Sequence, residues 1–290
     1  MKIDAHQHFW NPARGDYSWM PEDNKILYRS YLQNDLEPYL RKLEIDKTIL
    51  VQAAPSIEET EYLLGLADSS SFVAGVVGWI NFENPNDYAQ LVRLSKHPKF
   101  VGVRPMVQDI PDRNWILRKD IRWAFDAIEE LDLTFDALGF PQHLENFQKC
   151  LLKHKEMRTV IDHFMKPQIQ DHSEDQFNFW ADGISALAED TSAYIKFSGL
   201  ITEATEEWTI DALQPYVEHI LHKFGASRML WGSDWPVCRL RSEYDVWHAA
   251  ASELTVHLSN DDKAHVFWTE CYYGIQTTGL IKTYFLYQLA

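Results

Sequence analysis

The stretch Ile3-Asp4-Ala5-His6-Gln7-His8-Phe9-Trp10 is the part of the sequence that most clearly indicates the fold. Its composition predicts a short first β-strand, and side chains two residues apart on a strand point to the same face. His6 and His8 are therefore expected side by side at the end of that strand. Two neighbouring imidazoles can bind a metal ion or polarise a carbonyl group.

Beyond this stretch, strand-like runs alternate with helix-like runs. Eight runs, mostly rich in Val, Ile, Leu and Phe, are typical of buried strands; they are residues 2–8, 47–53, 72–80, 100–106, 133–138, 159–163, 193–198 and 228–234. Apolar spacing of three and four residues predicts helices between them. These helices cover residues 35–43, 120–131, 141–152, 176–188, 210–224, 244–254 and 261–275, with a capping box at Ser56-Ile57-Glu58-Glu59 ahead of a further helix.

Repeated strand–helix units predict an α/β fold, a (β/α)8 TIM barrel that forms a single domain over residues 1–290. A doubly wound open sheet is the main alternative. The count of eight strands and the lack of a Gly-x-Gly-x-x-Gly turn weigh against it.

Composition limits the partners and the compartment. The 290 residues carry a formal net charge of -16, which argues against nucleic acid or an anionic membrane and leaves a small-molecule substrate. Cys150, Cys238 and Cys271 are odd in number and widely spaced, as expected of reduced thiols in the cytoplasm. The first strand leaves no room for a signal peptide, and no run approaches the ~18 apolar residues of a membrane span. A homo-oligomer stays open.

Ionisable residues recur at the ends of the predicted strands, where barrel enzymes hold their active sites. They are His6, His8, Arg104, Asp162, His163, Lys196 and Asp234. Asp234 follows an apolar strand, and a buried unpaired carboxylate is costly, so it needs a cation, a metal or water. Structural roles stay open for three of these residues. His163 is then a hydrogen-bonded histidine of the core, and Arg104 and Lys196 are partners in ion pairs.

This set of residues fits hydrolysis. Attack of water on an acyl carbon needs a base for the water and positive character at the carbonyl oxygen. Asp234 is the candidate base, while His6, His8 and His163 can polarise the carbonyl directly or through a divalent cation. The sequence has no Gly-x-Ser-x-Gly elbow and no cysteine in a nucleophile motif, which disfavours a covalent acyl-enzyme.

The chain resembles the amidohydrolase superfamily, and within it the sugar-lactonase branch of L-fuconolactonase-like and L-rhamnonolactonase-like enzymes. The first stretch and Trp231-Gly232-Ser233-Asp234-Trp235-Pro236 carry most of the likeness; weaker segments are Arg14-Gly15-Asp16-Tyr17-Ser18-Trp19-Met20, Val51-Gln52-Ala53-Ala54-Pro55, Gly78-Trp79, Gly102-Val103-Arg104, Ile161-Asp162-His163 and Lys196-Phe197-Ser198-Gly199-Leu200. The resemblance implies hydrolysis of an aldonic-acid lactone, with Asp234 activating water and the three histidines around the acyl oxygen. It further implies substrate binding by Arg104 and Lys196 and a pocket walled by aromatic side chains, namely Trp10, Tyr17, Trp19, Trp79 and Trp235.

Two departures bear on the metal. Binuclear members of the superfamily have a carboxylated lysine or a glutamate ending strand 4 and a histidine ending strand 5, where this chain has Arg104 and Asp136. We therefore expect at most one divalent ion, zinc or manganese, on His6, His8 and Asp234, with His163 as a further ligand. Metal-free catalysis stays open.

Two other functions stay open beside the lactonase. One is a metal-dependent decarboxylase of the same superfamily, which carbon dioxide release would reveal. The other is a non-catalytic barrel that binds a sugar acid, which would show binding without turnover.

Overall fold

Eight β-strands alternate with helices in the computed structural model, which describes residues 1–267. The strands are β1 (Ile3–Gln7), β2 (Lys47–Val51), β3 (Val73–Gly78), β4 (Phe100–Val103), β5 (Thr134–Ala137), β6 (Arg158–Ile161), β7 (Tyr194–Phe197) and β8 (Met229–Trp231). They follow one another in a single sheet, and every neighbouring pair is parallel.

Residues just beyond β8 close the sheet onto β1. The backbone N–H of Asp234 donates to the His6 carbonyl at 2.8 Å, and the N–H of His8 donates to the Trp235 carbonyl at 2.7 Å. The predicted (β/α)8 barrel is confirmed. Residues 268–290 lie outside the described part of the chain, so a single domain over residues 1–290 stays a prediction.

The helices of the described residues surround the barrel, and none of them is long and apolar enough to cross a membrane. They are α1 (Gln33–Leu43), α2 (Ile57–Asp68), α3 (Tyr88–Leu94), α4 (Arg122–Glu130), α5 (Leu144–Leu151), α6 (Glu174–Asp190), α7 (Ile210–Phe224), α8 (Tyr244–Leu254) and α9 (Asn260–Phe267). The sequence did not predict α3, because its seven residues bury only Leu91 and Leu94 and give too short an apolar stripe. Pro141–His143 forms a separate 3-10 turn before α5. The predicted helix 261–275 runs past the described residues.

Two apolar layers hold the barrel together. The inner cluster consists of Ala5, Ile49, Val51, Val77, Val101, Val160 and Leu230. Ile49 and Val51 of β2 and Val160 of β6 belong to this one cluster although the two strands stand on opposite sides of the barrel. The cluster therefore fills the barrel interior. The outer and larger cluster lies between the strands and the helices, with Trp180 and Trp247 among its largest buried members. Towards the C-terminal ends of the strands, the interior becomes polar.

The connection from β2 to α2 contains a buried carboxyl group. Ser56 Oγ accepts from the backbone N–H of Glu59 at 3.0 Å, which is one half of the predicted capping box. The other half is absent: Glu59 Oε1 accepts instead from the N–H of Ala53 at 3.1 Å, so the carboxyl group turns inwards. Its burial raises the pKa of Glu59 to about 8.

We expect Glu59→Gln to stabilise the protein at neutral pH. The folded chain keeps the Glu59 proton up to about pH 8, whereas the ordinary pKa of a glutamate is 4.5, so stability is lost as pH rises between these values. At pH 7 the gain should be about 3 kcal/mol in the free energy of unfolding, falling towards zero at pH 4. Urea unfolding at both pH values measures it. The exposed neighbour Glu58 supplies the control, since Glu58→Gln should change stability little at either pH. Equal effects of the two substitutions at pH 7 would contradict the buried, protonated state of Glu59.

Candidate active site

A cavity of about 330 Å³ opens at the C-terminal ends of the strands. This is the end at which barrel enzymes hold their active sites, and the volume lies in the range of small-molecule pockets. The cavity is lined by His8, Trp10, Trp19, Ala53, Arg104, Met106, Gln108, Asp109, Leu138, His163, Lys166, Asp234 and Val237. Six of the predicted site residues are therefore together in one cavity: His8, Trp10, Trp19, Arg104, His163 and Asp234.

The Asp234 carboxylate lies among three imidazoles. Its Oδ1 is 3.3 Å from His8 Nε2, 3.7 Å from His6 Nε2 and 3.9 Å from His163 Nε2. The side chains of all four residues are buried or nearly so. The barrel thus brings residues from β1, from the end of β6 and from the end of β8 to a single carboxylate.

Hydrogen bonds fix which nitrogen of His6 and of His8 carries the proton. His8 Nδ1 donates to the Val51 carbonyl at 2.7 Å, and its Nε2 faces the cavity 3.3 Å from Asp234 Oδ1. Lys196 donates to His6 Nδ1 at 3.1 Å, so neutral His6 carries its proton on Nε2. This Nε2–H lies 3.1 Å from His8 Nε2 and 3.7 Å from Asp234 Oδ1. An N–H bond of His6 therefore points towards the reactive end of the site.

Beneath His6 lies a buried network of charges. Lys196 is enclosed by the carboxylates of Asp136 and Asp162, the latter at 2.9 Å, and Asp162 also accepts from Arg104 at 3.1 Å. Arg104 donates in addition to the Gln52 carbonyl. Lys196 has no exposed surface and is not among the residues lining the cavity, so the structure does not place it where a substrate oxygen can meet it. Arg104 does line the cavity, with Nη1 3.4 Å from His6 Nε2.

Burial and charge set the protonation states of the site. Burial lowers the pKa of His6 well below its usual value, and it lowers the pKa of His163 to about 4. Burial alone would raise the pKa of Asp234, but the surrounding imidazoles, that of His163 foremost, hold it well below the usual range. At neutral pH the site therefore combines an ionised carboxylate with neutral His6 and His163.

The backbone is left-handed at both reactive corners. Asp234 has a φ of 54°, and the four residues His163–Met165 and Lys166 have φ values between 50° and 59°. Such conformations cost a non-glycine residue about 1 kcal/mol or more, and they cluster at functional sites. A hydrogen bond stabilises the turn after β6: Trp180 Nε1 donates to the Phe164 carbonyl at 2.7 Å. Gly199 leaves room for it, since a Cβ there would lie 2.7 Å from His163 Nδ1.

A family model described as amidohydrolase matches residues 3–269. The chain belongs to the amidohydrolase family. The resemblance predicted from the sequence is thereby confirmed.

Relatives of this amidohydrolase cover nearly its whole length. An L-fucono-1,5-lactonase from Burkholderia ambifaria is 40% identical over 270 residues, which are 92% of each chain. A second L-fucono-1,5-lactonase, from Burkholderia multivorans, is 32% identical and covers 84% of this chain and 85% of its own. The crystal structure of an amidohydrolase from Burkholderia multivorans with bound zinc has a TM-score of 0.90 at 28% identity, covering 95% of this chain and 99% of that one.

The donor set of this amidohydrolase fits one divalent ion. The ligand atoms of His6, His163 and Asp234 lie within 4.8 Å of one another, and His8 Nε2 is next to two of them. A tetrahedral zinc ion at ~2.0–2.1 Å from its ligands separates them by ~3.4 Å, which is close to these spacings. For His6 to ligate through Nε2, its proton must move to Nδ1, which requires the hydrogen bond from Lys196 to be given up in favour of Asp162 Oδ1, 3.6 Å away.

Three of the predicted aromatic wall residues, Tyr17, Trp79 and Trp235, do not line the cavity. Trp235 is 1% exposed and packs against Phe9 and Tyr31 behind the site, with ring centroids 6.2 and 5.1 Å away. Trp79 holds α2 through its backbone, which bonds to Thr60 Oγ1, and it does not line the cavity. Trp19 does line it, and its Nε1 donates to the Ala53 carbonyl at 2.7 Å.

Sequence reasoning missed several residues of the site. Asp162 was assigned no catalytic or binding role, although a buried acid next to a site histidine is a usable signal. Gln108 and Lys166 line the cavity from irregular turns, which carry no periodic pattern. They could be found only by asking which residues follow each strand end.

Proposed function

We propose that the protein hydrolyses the lactone of a sugar acid, with L-fucono-1,5-lactone as the first substrate to test. The observation that carries the proposal is an ionised Asp234 carboxylate among three imidazoles, at a cavity of about 330 Å³. The two L-fucono-1,5-lactonases that match most of the chain support it independently.

In this mechanism Asp234 accepts a proton from a water molecule as that water attacks the lactone carbonyl carbon. Negative charge develops on the carbonyl oxygen and is stabilised by the N–H bonds of His6 and Arg104. The ring C–O bond then breaks, and the proton held by Asp234 passes to the leaving ring oxygen. The products are a hydroxyl group and a carboxylic acid, which ionises and releases one proton.

The buried network keeps the electrophilic groups in place. Asp162 accepts from Arg104 and is paired with Lys196, while Lys196 donates to His6 Nδ1. Because Lys196 occupies Nδ1, the proton of His6 is directed to Nε2 and towards the reacting oxygen. When bound to His6, His8, His163 and Asp234, a divalent ion would supply Lewis-acid polarisation of the carbonyl.

We expect the purified protein to retain one zinc ion per chain after zinc loading and dialysis, as measured by elemental analysis. Asp234→Asn and His8→Asn each remove a ligand and should lower zinc affinity at least tenfold. His97→Asn, which changes a surface histidine paired with Asp68, should leave zinc content unchanged. Two ions per chain would contradict the account, because Arg104 supplies a cation where a second ion needs a bridging carboxylate.

The function is tested with a panel of aldonolactones that vary in ring size and stereochemistry, assayed by acid release with and without prior chelation. Faster turnover of L-fucono-1,5-lactone than of 1,4-lactones would support the proposal. Turnover that survives chelation assigns carbonyl polarisation to the chain's own N–H groups, and turnover that is lost and restored by zinc or manganese assigns it to the ion. Carbon dioxide release from a carboxylated substrate, with every lactone inert, would favour the decarboxylase.

The proposed setting is carbohydrate catabolism in the cytoplasm. Cys150 and Cys238 are buried free thiols, which supports a reducing compartment. A homo-oligomer stays a prediction.

A further inference from the structure

The cavity has a second wall that the proposed mechanism does not use. Asp234 and His8 stand on the side formed by the ends of β8 and β1. Facing them, the loops after β4, β5 and β6 contribute Gln108, Leu138 and Lys166. Since β4, β5 and β6 are neighbours in the sheet, these loops form one continuous surface beside the reactive groups.

Gln108 presents an unpartnered polar atom within this wall. It lies in the 3-10 turn Val107–Asp109, four residues beyond Arg104. Its Oε1 is buried and has no hydrogen-bond partner among residues 1–267. A buried amide oxygen without a partner is costly, because its bond to water has been lost without replacement. Because Gln108 also lines the cavity, a ligand bound there can supply the missing hydrogen bond once the amide group turns towards it.

Lys166 presents a complementary donor. It ends the left-handed turn that begins at His163, and its backbone N–H donates to the His163 carbonyl at 2.7 Å. This turn therefore places His163 beside Asp234 and Lys166 on the opposite wall. The ammonium group of Lys166 forms an ion pair with Glu203 Oε1 at 3.9 Å and lies 5.6 Å from the centre of the Phe140 ring; neither contact is a hydrogen bond, so its N–H bonds can be donated to a ligand.

A buried acceptor and an available ammonium donor on one wall match a hydroxyl group, which both donates and accepts. We propose that Gln108 and Lys166 recognise the ring hydroxyl groups of the lactone and determine its specificity, an inference that rests on the proposed function. A lactone without hydroxyl groups leaves Gln108 unsatisfied, and sites built to bond a hydroxyl group discriminate strongly against ligands that lack it. Leu138 between them offers no hydrogen bond.

The test compares two six-membered lactones, L-fucono-1,5-lactone, which carries ring hydroxyl groups, and δ-valerolactone, which has none. Gln108→Leu and Lys166→Met should each lower kcat/KM for the hydroxylated lactone about 10- to 100-fold. For δ-valerolactone, two quantities should stay within about threefold of wild type. They are its own kcat/KM as a substrate and its inhibition constant when it competes with the hydroxylated lactone. Gln142→Leu and Lys153→Met change exposed residues of the same types and should leave both substrates unaffected.

Equal losses for the two lactones, or no loss for either, would overturn the assignment of Gln108 and Lys166 while leaving lactone hydrolysis by the wild type intact. If the wild type hydrolyses neither lactone, the proposed function itself is wrong, and so is the assignment of Gln108 and Lys166 as specificity residues. Circular dichroism of each variant separates a folding defect from an effect on recognition.

Discussion

Asp234→Asn should lower kcat/KM for the lactone by about 10³-fold or more while the protein stays folded. The substitution keeps the shape of the side chain but removes the proton acceptor, and general-base catalysis contributes about 10²–10⁴-fold. Asparagine tolerates the left-handed backbone that this position requires, with its φ of 54°, so no strain is added. Steady-state acid release, with circular dichroism and thermal unfolding alongside, measures the effect.

Asp245→Asn is the matched control for that substitution. Asp245 bears a carboxylate that pairs with Lys42 on the surface, away from the cavity, so its removal should leave kcat/KM unchanged. Turnover by Asp234→Asn within tenfold of the wild type would remove Asp234 as the base. Zinc content is measured on the same samples, because Asp234 also belongs to the donor set for a metal.

Lys196→Met should reduce the free energy of unfolding by about 3–5 kcal/mol. The substitution leaves Asp136 and Asp162 buried without the ammonium group that lies between them. Removing one partner of a buried ion pair is costly because the remaining charge cannot regain water. Asp162 keeps Arg104 at 3.1 Å, so the loss falls mainly on Asp136. Denaturant unfolding at pH 7 measures the loss directly.

Lys223→Met breaks a lysine–carboxylate pair of similar length, 3.0 Å to Glu189, at the surface. Its cost should be under about 1 kcal/mol, because exposed pairs are screened by solvent. A comparable loss in the two variants, or a loss below about 1 kcal/mol for Lys196→Met, would show that the interior network does not depend on Lys196. We also expect kcat to fall in Lys196→Met, since His6 loses the donor that directs its proton to Nε2.

The barrel was predictable because its strands are buried on both faces and are spaced as βα units. The predictions that failed locally concern short or irregular elements. Helix α3 has two buried apolar residues, which is too few to show a period. Glu59 has the sequence position of a capping-box acid, but the nearby N–H of Ala53 competes for its carboxyl group, a contact that no local pattern encodes.

The sequence predicted which strand ends form the site, but not how deeply each side chain is buried within the barrel. The rule that barrel chemistry lies at those ends brought His6, His8, His163 and Asp234 together correctly. The rule gives no radial position, so Lys196, which lies within β7, was expected at the substrate and is instead enclosed by carboxylates. Specificity residues were harder still, because their turns follow no period.

The most direct test of the account is the initial rate of acid release from L-fucono-1,5-lactone, measured against spontaneous ring opening at neutral pH. We predict a rate that is proportional to protein concentration and saturates with lactone, at roughly 1–10³ turnovers per second. A rate equal to spontaneous hydrolysis, with folded wild-type protein in both metal-loaded and chelated form, would contradict lactone hydrolysis as the function of this site.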